Sequence, residues 1–342
     1  MAQWSIIGSA SGFNRRSIVR GKLNMTESSA EYQPSRIEII TADRAGQRLD
    51  NFLLSVLKTV PKSRVYRLIR KGEVRVNGKR AKPDAKLVGQ DQVRLPPLWI
   101  EQRQPSDTAK YIPILDDILL ETDQFLILNK PSGLAVHGGS GIHVGAIEAL
   151  RSQRKDLPYI ELAHRIDRDT SGLLVFAKKR AFLRRFQQLL REKKALRKSY
   201  DLLVHGYWPG RLKKVDHSLT KLRLASGERV ARVDEMGKAS ETEFEVIERF
   251  NGMTWLRARP ITGRMHQIRV HAAASSHPII GDPKYGDSKK DKAFRSSRMM
   301  LHASALSVIA KDAGSIEFAS LNVEAPLPPD FMALVERTRA AT

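Results

Sequence analysis

The sequence predicts an α+β chain with two parts: a small N-terminal α/β domain and a larger domain whose mainly antiparallel, mixed sheet is flanked by helices. Three observations carry this. The chain has 342 residues, and at roughly 100 to 200 residues per domain two domains are expected. Charge is unevenly spread: residues 44 to 95 hold 14 Lys or Arg against 4 Asp or Glu, a local charge of +10. Beyond residue 121 strand-like segments outnumber helical ones, and few are joined by a single crossover helix, which argues against a doubly wound parallel sheet.

Residues 1–35 are rich in Ser, Gly, Asn and Gln without sustained periodicity, and are expected to be a disordered extension; Met25 is a second candidate start. The small domain is placed at 36–99. Leu49, Phe52, Leu53, Val56 and Leu57 recur at i, i+3, i+4, i+7 and i+8, one apolar face of a helix of about three turns. A second helix follows, started by Thr59 and Pro61, buried through Val65, Leu68 and Ile69, and ended by Gly72. Val74 and Val76 then alternate into Asn77-Gly78, a hairpin signal. Lys62, Arg64, Arg67, Arg70, Lys71, Arg75 and Lys79 decorate these elements, so two helices and a hairpin converge on one cationic surface of the density that phosphate contacts need. Pro96, Pro97, Pro105 and Pro113 mark a linker, placed at 100–120.

The large domain is placed at 121–342. FLILN (125–129), LLVFAK (173–178), SYDLLVHG (199–206), TEFEVIERF (242–250) and TWLRARPI (254–261) read as strands. Segments near 144–154, 181–193, 264–275 and 329–339 read as helices.

Composition narrows the function. The formal charge is +22 and the chain has no cysteine, which excludes disulfides, thiol nucleophiles, thiolate metal sites and iron–sulfur clusters. No run approaches the ~18 to 20 apolar residues of a membrane span. There is no GxxxxGK[ST] phosphate loop and no HExxH pair, and the nine histidines do not cluster at zinc spacing. A cytoplasmic protein with a polyanionic partner and no metal fits best.

Two motifs concentrate chemistry. HRIDRDTSG (164–172) packs His164, Arg165, Asp167, Arg168 and Asp169 before an apolar strand. A carboxylate held there between arginines could serve as nucleophile or base. GRMHQIRVH (263–271) reads as a helix opened by Arg264, His266 and Arg269, a seat for a phosphate or carboxylate.

Taken with LNKPSGLAVHGGSG (128–141), RKSYDLLVHG (197–206) and GDPKYGD (281–287), these motifs resemble, in order, the RNA pseudouridine synthases typified by the A, C and D enzymes for ribosomal RNA. AVHGGSG and SGERVARVDEMGKASETEF (226–244) are most similar to the large-subunit branch. RLDNFL (48–53), SRVYRLIRKGEVRVNGK (63–79) and DQVRL (91–95) resemble the RNA-binding domain first named in small-subunit ribosomal protein four, the S-four type. The resemblance covers about residues 44–310. Ile166 stands where Leu is commoner, and Met265 where Thr is usual.

The resemblance implies an isomerase that needs no cofactor and acts on large-subunit ribosomal RNA; a monomer without an obligatory protein partner is the default expectation. It implies Asp167 as the catalytic carboxylate, Arg269 as its ion-pair partner and Tyr200 as the active-site tyrosine. It implies Arg165 as the residue that enters the RNA stack when a uridine is flipped out. Lys130, His137 and the Gly138-Gly139 turn are expected to line the RNA-facing groove, and Arg168, Arg264 and His266 to contact RNA. Two other readings remain at this point: a noncatalytic RNA-binding or ribosome-assembly protein, and a nucleoside hydrolase with Asp169 as its second carboxylate.

Overall fold

The computed structural model describes residues 30–57, 60–101, 112–138, 144–192, 195–309 and 321–341. Contacts divide the described residues into two compact units, one of residues 30–40, 47–87 and 91–101, the other of residues 41–46, 88–90 and those from 112 onward.

The small unit contains β1 (Ala30–Gln33), β2 (Arg36–Ile39), α1 (Leu49–Val56), α2 (Lys62–Lys71), β3 (Arg75–Val76), β4 (Gln92–Leu95) and β5 (Leu98–Glu101). Leu49, Phe52, Leu53 and Leu57 meet Val65, Leu68 and Ile69 in one core, as their helical spacing requires. Helix α1 is shorter than the expected three turns, with eight residues. Helix α2 follows Pro61 and ends at Gly72 in the left-handed conformation; Thr59, the other expected start signal, lies outside the described residues. Asn77 and Gly78 take positive φ and close a tight turn between Val76 and Lys79. The chain does not return as a hairpin strand, however: β3 pairs with β4, which also pairs with β2. The expected convergence of two helices on the cationic surface is also corrected. Leu49–Val56 carries no Lys or Arg, and Asp50 on α1 is taken up by Arg48 and the Tyr66 hydroxyl. The cations belong to α2 and the turn.

Two boundaries need correction. Ala30–Gln33, inside the expected disordered extension, is a strand paired with Leu98–Glu101, so the expected linker begins inside β5. Its other end overlaps a strand as well, since Ile118–Glu121 pairs with Phe125–Lys130. Both short strands lack strong local patterning and owe their structure to their partners.

The large unit runs β6 (Ile118–Glu121), β7 (Phe125–Lys130), α3 (Ala146–Gln153), β8 (Glu161–Leu162), β9 (Ser171–Ala177), α4 (Arg180–Arg191), β10 (Leu196–His205), β11 (Lys214–Val215), β12 (Leu219–Arg223), β13 (Arg229–Val233), β14 (Thr242–Phe250), β15 (Met253–Pro260), α5 (Gln267–Ala274), α6 (Ser288–Phe294), β16 (Leu301–Val308), β17 (Asn322–Glu324) and α7 (Pro329–Arg339). Its main sheet has the order β11-β14-β15-β10-β16-β9-β7-β6, with β17 beside β16 and β8 beside β9. Among the described residues only β9 and β16 pair in parallel; the remaining ladders are antiparallel, as expected of an α+β fold. Strand β9 is buried along its whole length, and Phe182, Phe186 and Leu189 of α4 pack into the same core as its apolar residues. Strands β12 and β13 form a separate hairpin.

Three histidines are held neutral in this unit. His164 Nε2 accepts the Val175 N–H, His271 meets Ser240 and His302 meets Ser171. Burial pushes their pKa values down to about 3, 4 and 4 respectively. Because the folded values lie below the unfolded value near 6.5, the unfolded chain binds more protons between about pH 6.5 and 4. Stability is therefore full above pH 6.5 and falls as pH drops, on a scale of about 1.4 kcal/mol per pKa unit per group. The depressed carboxylates Asp50 and Glu121, both near 2, act at lower pH, leaving the interval from 6.5 to 5 to the imidazoles. Urea unfolding across that interval should show a steady loss; a flat profile would mean that these rings are not held neutral.

Candidate active site

Asp167 lies in the turn between β8 and β9, and the surrounding backbone is tightly fixed. Lys130, at the end of β7, is fully buried, and its Nζ donates to the carbonyls of Pro131, Leu134 and Arg168 at 2.6, 2.8 and 2.8 Å. Gly133 N–H also reaches the Arg168 carbonyl, and the Ser132 hydroxyl reaches that of Asp169. At the start of β9 Gly172 has φ +103, and a Cβ there would stand 2.3 Å from the Ala303 carbonyl oxygen. The close parallel approach of β9 and β16 therefore requires glycine at the end of the Thr-Ser-Gly segment.

This corrects the expected role of Lys130. An ammonium whose three protons match three carbonyls is a structural pin and does not line an RNA groove. Burial pushes its pKa down to about 7, against the pull of Asp169 and Asp167. Lys130→Met should strip three buried carbonyls of their donor and cost about 3 kcal/mol or more. The RNA affinity of the molecules that remain folded should keep its salt dependence; a reduced salt slope would restore Lys130 to the RNA surface.

The arginine that grips Asp167 comes from far along the chain. Neither sequence neighbour does so: Arg165 is exposed, and Arg168 pairs with Asp169 at 2.9 Å. Arg269 Nη1 instead reaches Asp167 Oδ2 at 3.1 Å. Its Nε and Nη2 form a fork on Asp282 at 2.8 and 2.7 Å, and its guanidinium lies 5.1 Å from the Tyr285 ring centroid. Asp282 is itself fixed by the N–H groups of Lys284 and Tyr285. Burial disfavours charge on both partners, but the pairing overrides it, holding Arg269 above and Asp282 below its ordinary pKa. The Arg269 and Asp282 side chains are 2% and 0% exposed, that of Asp167 28%. One carboxylate thus anchors the arginine, while the other faces outward.

The expected opening of α5 by three cations is also corrected. The helix begins at Gln267, and Arg264 and His266 precede it. Gln267 organises this entry, accepting from Arg264 N–H and the Thr262 hydroxyl and donating to the Glu241 carbonyl and Thr242. Arg269 points inward within the helix instead of presenting itself at the helix N-terminus. His266 is left-handed at φ 53, an uncommon conformation for a non-glycine residue. Its Nδ1 meets the Tyr285 hydroxyl at 2.7 Å and its Nε2 lies 3.9 Å from Asp167 Oδ2. Burial pushes the His266 pKa down, against the pull of Asp167. His266 therefore stands beside the Asp167 carboxylate, with its side chain 11% exposed. Met265 packs against Leu219, Ala231 and Val270, so a thioether occupies an apolar contact with the β12–β13 hairpin.

Tyr200 lies on β10, packed against the apolar cores on both of its sides. Burial, with the charge of Asp167, pushes its hydroxyl pKa up. Arg264 and His137 are exposed, with Arg264 Nε on the Ala239 carbonyl and His137 Nδ1 on that of Gly138. Gly139 lies outside the described residues. Among those described, no three His, Cys, Asp or Glu residues are placed to hold a metal, and no helix is long and apolar enough to cross a membrane. Sequence reasoning had no role for Asp282, Tyr285 or Gln267. The only local signal was GDPKYGD, whose Asp followed by Pro and Gly reads as a turn.

An arginine clamped by a buried carboxylate and holding a second, partly exposed carboxylate, whose charge is felt by a buried tyrosine, suits chemistry by an oriented aspartate. Residues 124–274 match the RNA pseudouridylate synthase family and residues 47–93 the S4 domain. The ribosomal large subunit pseudouridine synthase C of Escherichia coli K12 is 46% identical over 315 residues, covering 90% of this chain and 97% of that protein. The protein of the same name from Pasteurella multocida is 46% identical over 314 residues, covering 90% and 95%. The solved structure of human RNA pseudouridylate synthase domain containing 4 shares the fold, with a TM-score of 0.54 at 24% identity, over 69% of this chain and 97% of that one. The chain belongs to the RNA pseudouridine synthase family and is an isomerase.

Proposed function

We propose that the protein converts specific uridines of large-subunit ribosomal RNA to pseudouridine, with Asp167 as the reacting carboxylate and no cofactor. The observation that carries the role of Asp167 is its grip by Arg269, itself locked on buried Asp282. Among the described residues the side-chain contacts of Asp167 fall on Oδ2, and the side chain is 28% exposed. The reaction breaks the bond between ribose C1′ and uracil N1, turns the base and joins C1′ to C5, from which a proton departs. N1 takes up a proton in exchange for the one that C5 loses to water, so the nucleotide's composition is unchanged and no reagent beyond solvent protons is needed.

Tyr200 stays a neutral phenol at neutral pH, because its pKa is raised. Its ring can stack on the uracil face, and its hydroxyl is suited to donate a hydrogen bond. In this reading the C5 proton passes to the Asp167 carboxylate once the new C–C bond has formed. Exposed Arg165 fills the stack left by the flipped uridine, and Arg168, Arg264 and His137 face the RNA strand. Lys62, Arg64, Arg67, Arg70, Lys71, Arg75 and Lys79 hold its phosphates. The enzyme acts as a cytoplasmic monomer.

Large-subunit RNA labelled with tritium at uracil C5 tests the reading: isomerisation releases tritium to water. Release from large-subunit RNA and not from small-subunit RNA is expected. Binding without release, from free RNA or from subunits, would instead favour a noncatalytic assembly protein, and free uracil would mark a hydrolase. Replacing Arg67, Arg70 and Lys71 together by Ala should flatten the salt dependence of binding by a slope of about 2 to 3; an unchanged slope would remove α2 from the RNA surface.

A further inference from the structure

Outside the residues that match the S4 domain, strands β1 and β5 form a two-stranded ribbon in which Tyr32 stands opposite Trp99. Their rings are 5.2 Å apart and inclined at 54°, and they are 53% and 60% exposed. Trp208, by contrast, is 1% exposed within the core. Two large aromatic faces left in water on one ribbon call for an occupant, since each could bury about 150 to 250 Å². The ribbon adjoins the cationic helix α2: Arg64 Nη1 donates to the Trp99 carbonyl at 3.5 Å, and Lys62, Arg67, Arg70 and Lys71 lie exposed along the same helix. Aromatic faces beside a phosphate-binding array suit single-stranded nucleic acid, whose bases present open π faces. A duplex offers no such faces along its length.

We propose that Trp99 and Tyr32 form a stacking platform for unpaired bases of the RNA strand whose phosphates α2 holds. The inference rests on the reading of the protein as an RNA enzyme and adds a base-recognition site remote in sequence from Asp167. The platform grips bases without reading their identity, because stacking is sequence-tolerant. It selects unpaired stretches next to the segment that the cations hold, a preference that charge alone cannot supply.

The test measures binding of full-length wild type, Trp99→Ala, Tyr32→Ala and Trp99→Phe to an unstructured RNA oligonucleotide and to a fully paired RNA duplex over a range of salt. Tritium release at saturating ribosomal RNA is followed in parallel. Trp99→Ala is expected to bind the single strand about 10- to 100-fold more weakly, with an unchanged salt slope and unchanged duplex binding. Trp99→Phe should retain most of the affinity, and intrinsic fluorescence quenching by the oligonucleotide should be lost in Trp99→Ala. Release at saturation should equal that of wild type, so a wild type that releases nothing would defeat the isomerase reading without touching the platform. Single-strand binding by Trp99→Ala as tight as wild type, or a loss accompanied by a lower salt slope, would overturn the proposal. Wild-type self-association that Trp99→Ala abolishes would also overturn it, by making the ribbon an interface between copies.

Discussion

Asp167→Asn is expected to release no measurable tritium from substrate RNA while folding and binding as wild type does. The substitution preserves shape and removes only the charge and basicity. A carboxamide neither attacks the sugar nor accepts the departing proton, so the loss should be at least about 10⁴-fold, the scale seen when a reacting group is removed. Stability should change by no more than about 1 kcal/mol, because Arg269 keeps its fork on Asp282 and the Asp167 side chain is partly in water. Single-turnover release and RNA binding measured on one preparation decide the matter. Release by the Asn variant near the wild-type rate would remove Asp167 from the reaction.

Arg269→Ala should show the opposite balance, a large structural cost together with a large loss of rate. Asp282 is completely buried and loses its cation, and removing one partner of such a pair costs about 3 to 5 kcal/mol. Freed from its clamp, Asp167 becomes poorly oriented, and a displacement of about 1 Å can cost about 10²-fold in rate. Arg269→Lys separates the two effects. It restores a positive charge but cannot span both Asp282 oxygens and Asp167, so stability should recover more than rate does. Urea unfolding with tritium release on the three proteins is the measurement. An Arg269→Ala protein as stable as wild type would mean that the Arg269–Asp282 pair is not a buried support.

Much of the architecture is readable along the chain. Apolar spacing in α1 and α2, the Asn77-Gly78 turn and the apolar run of β9 are local patterns, and local patterns set local backbone geometry. The class of the large sheet follows from the number and spacing of its strands. Strand order does not: β16 enters between β10 and β9, and β1 owes its existence to β5, far away in sequence.

The candidate site divides in the same way. HRIDRDTSG marks Asp167 because charged residues crowd before an apolar strand, but the same reading chooses the wrong arginines. Arg165 and Arg168 are neighbours along the chain, whereas the partner is 102 residues away. Lys130 looks from its sequence like a surface cation and is a buried pin; Asp282 looks like a turn residue and is the counter-charge on which Arg269 rests. By itself the sequence determined the fold class and the basic block, and it marked Asp167 as the carboxylate that the resemblance implies. The Asp167–Arg269 pair was expected by resemblance and is present; tertiary structure alone decided that Arg269 rests on Asp282 and that Lys130 is buried, because such pairings depend on distances of a few ångströms and on exclusion of water. Both are products of sheet register and packing that no local spacing encodes.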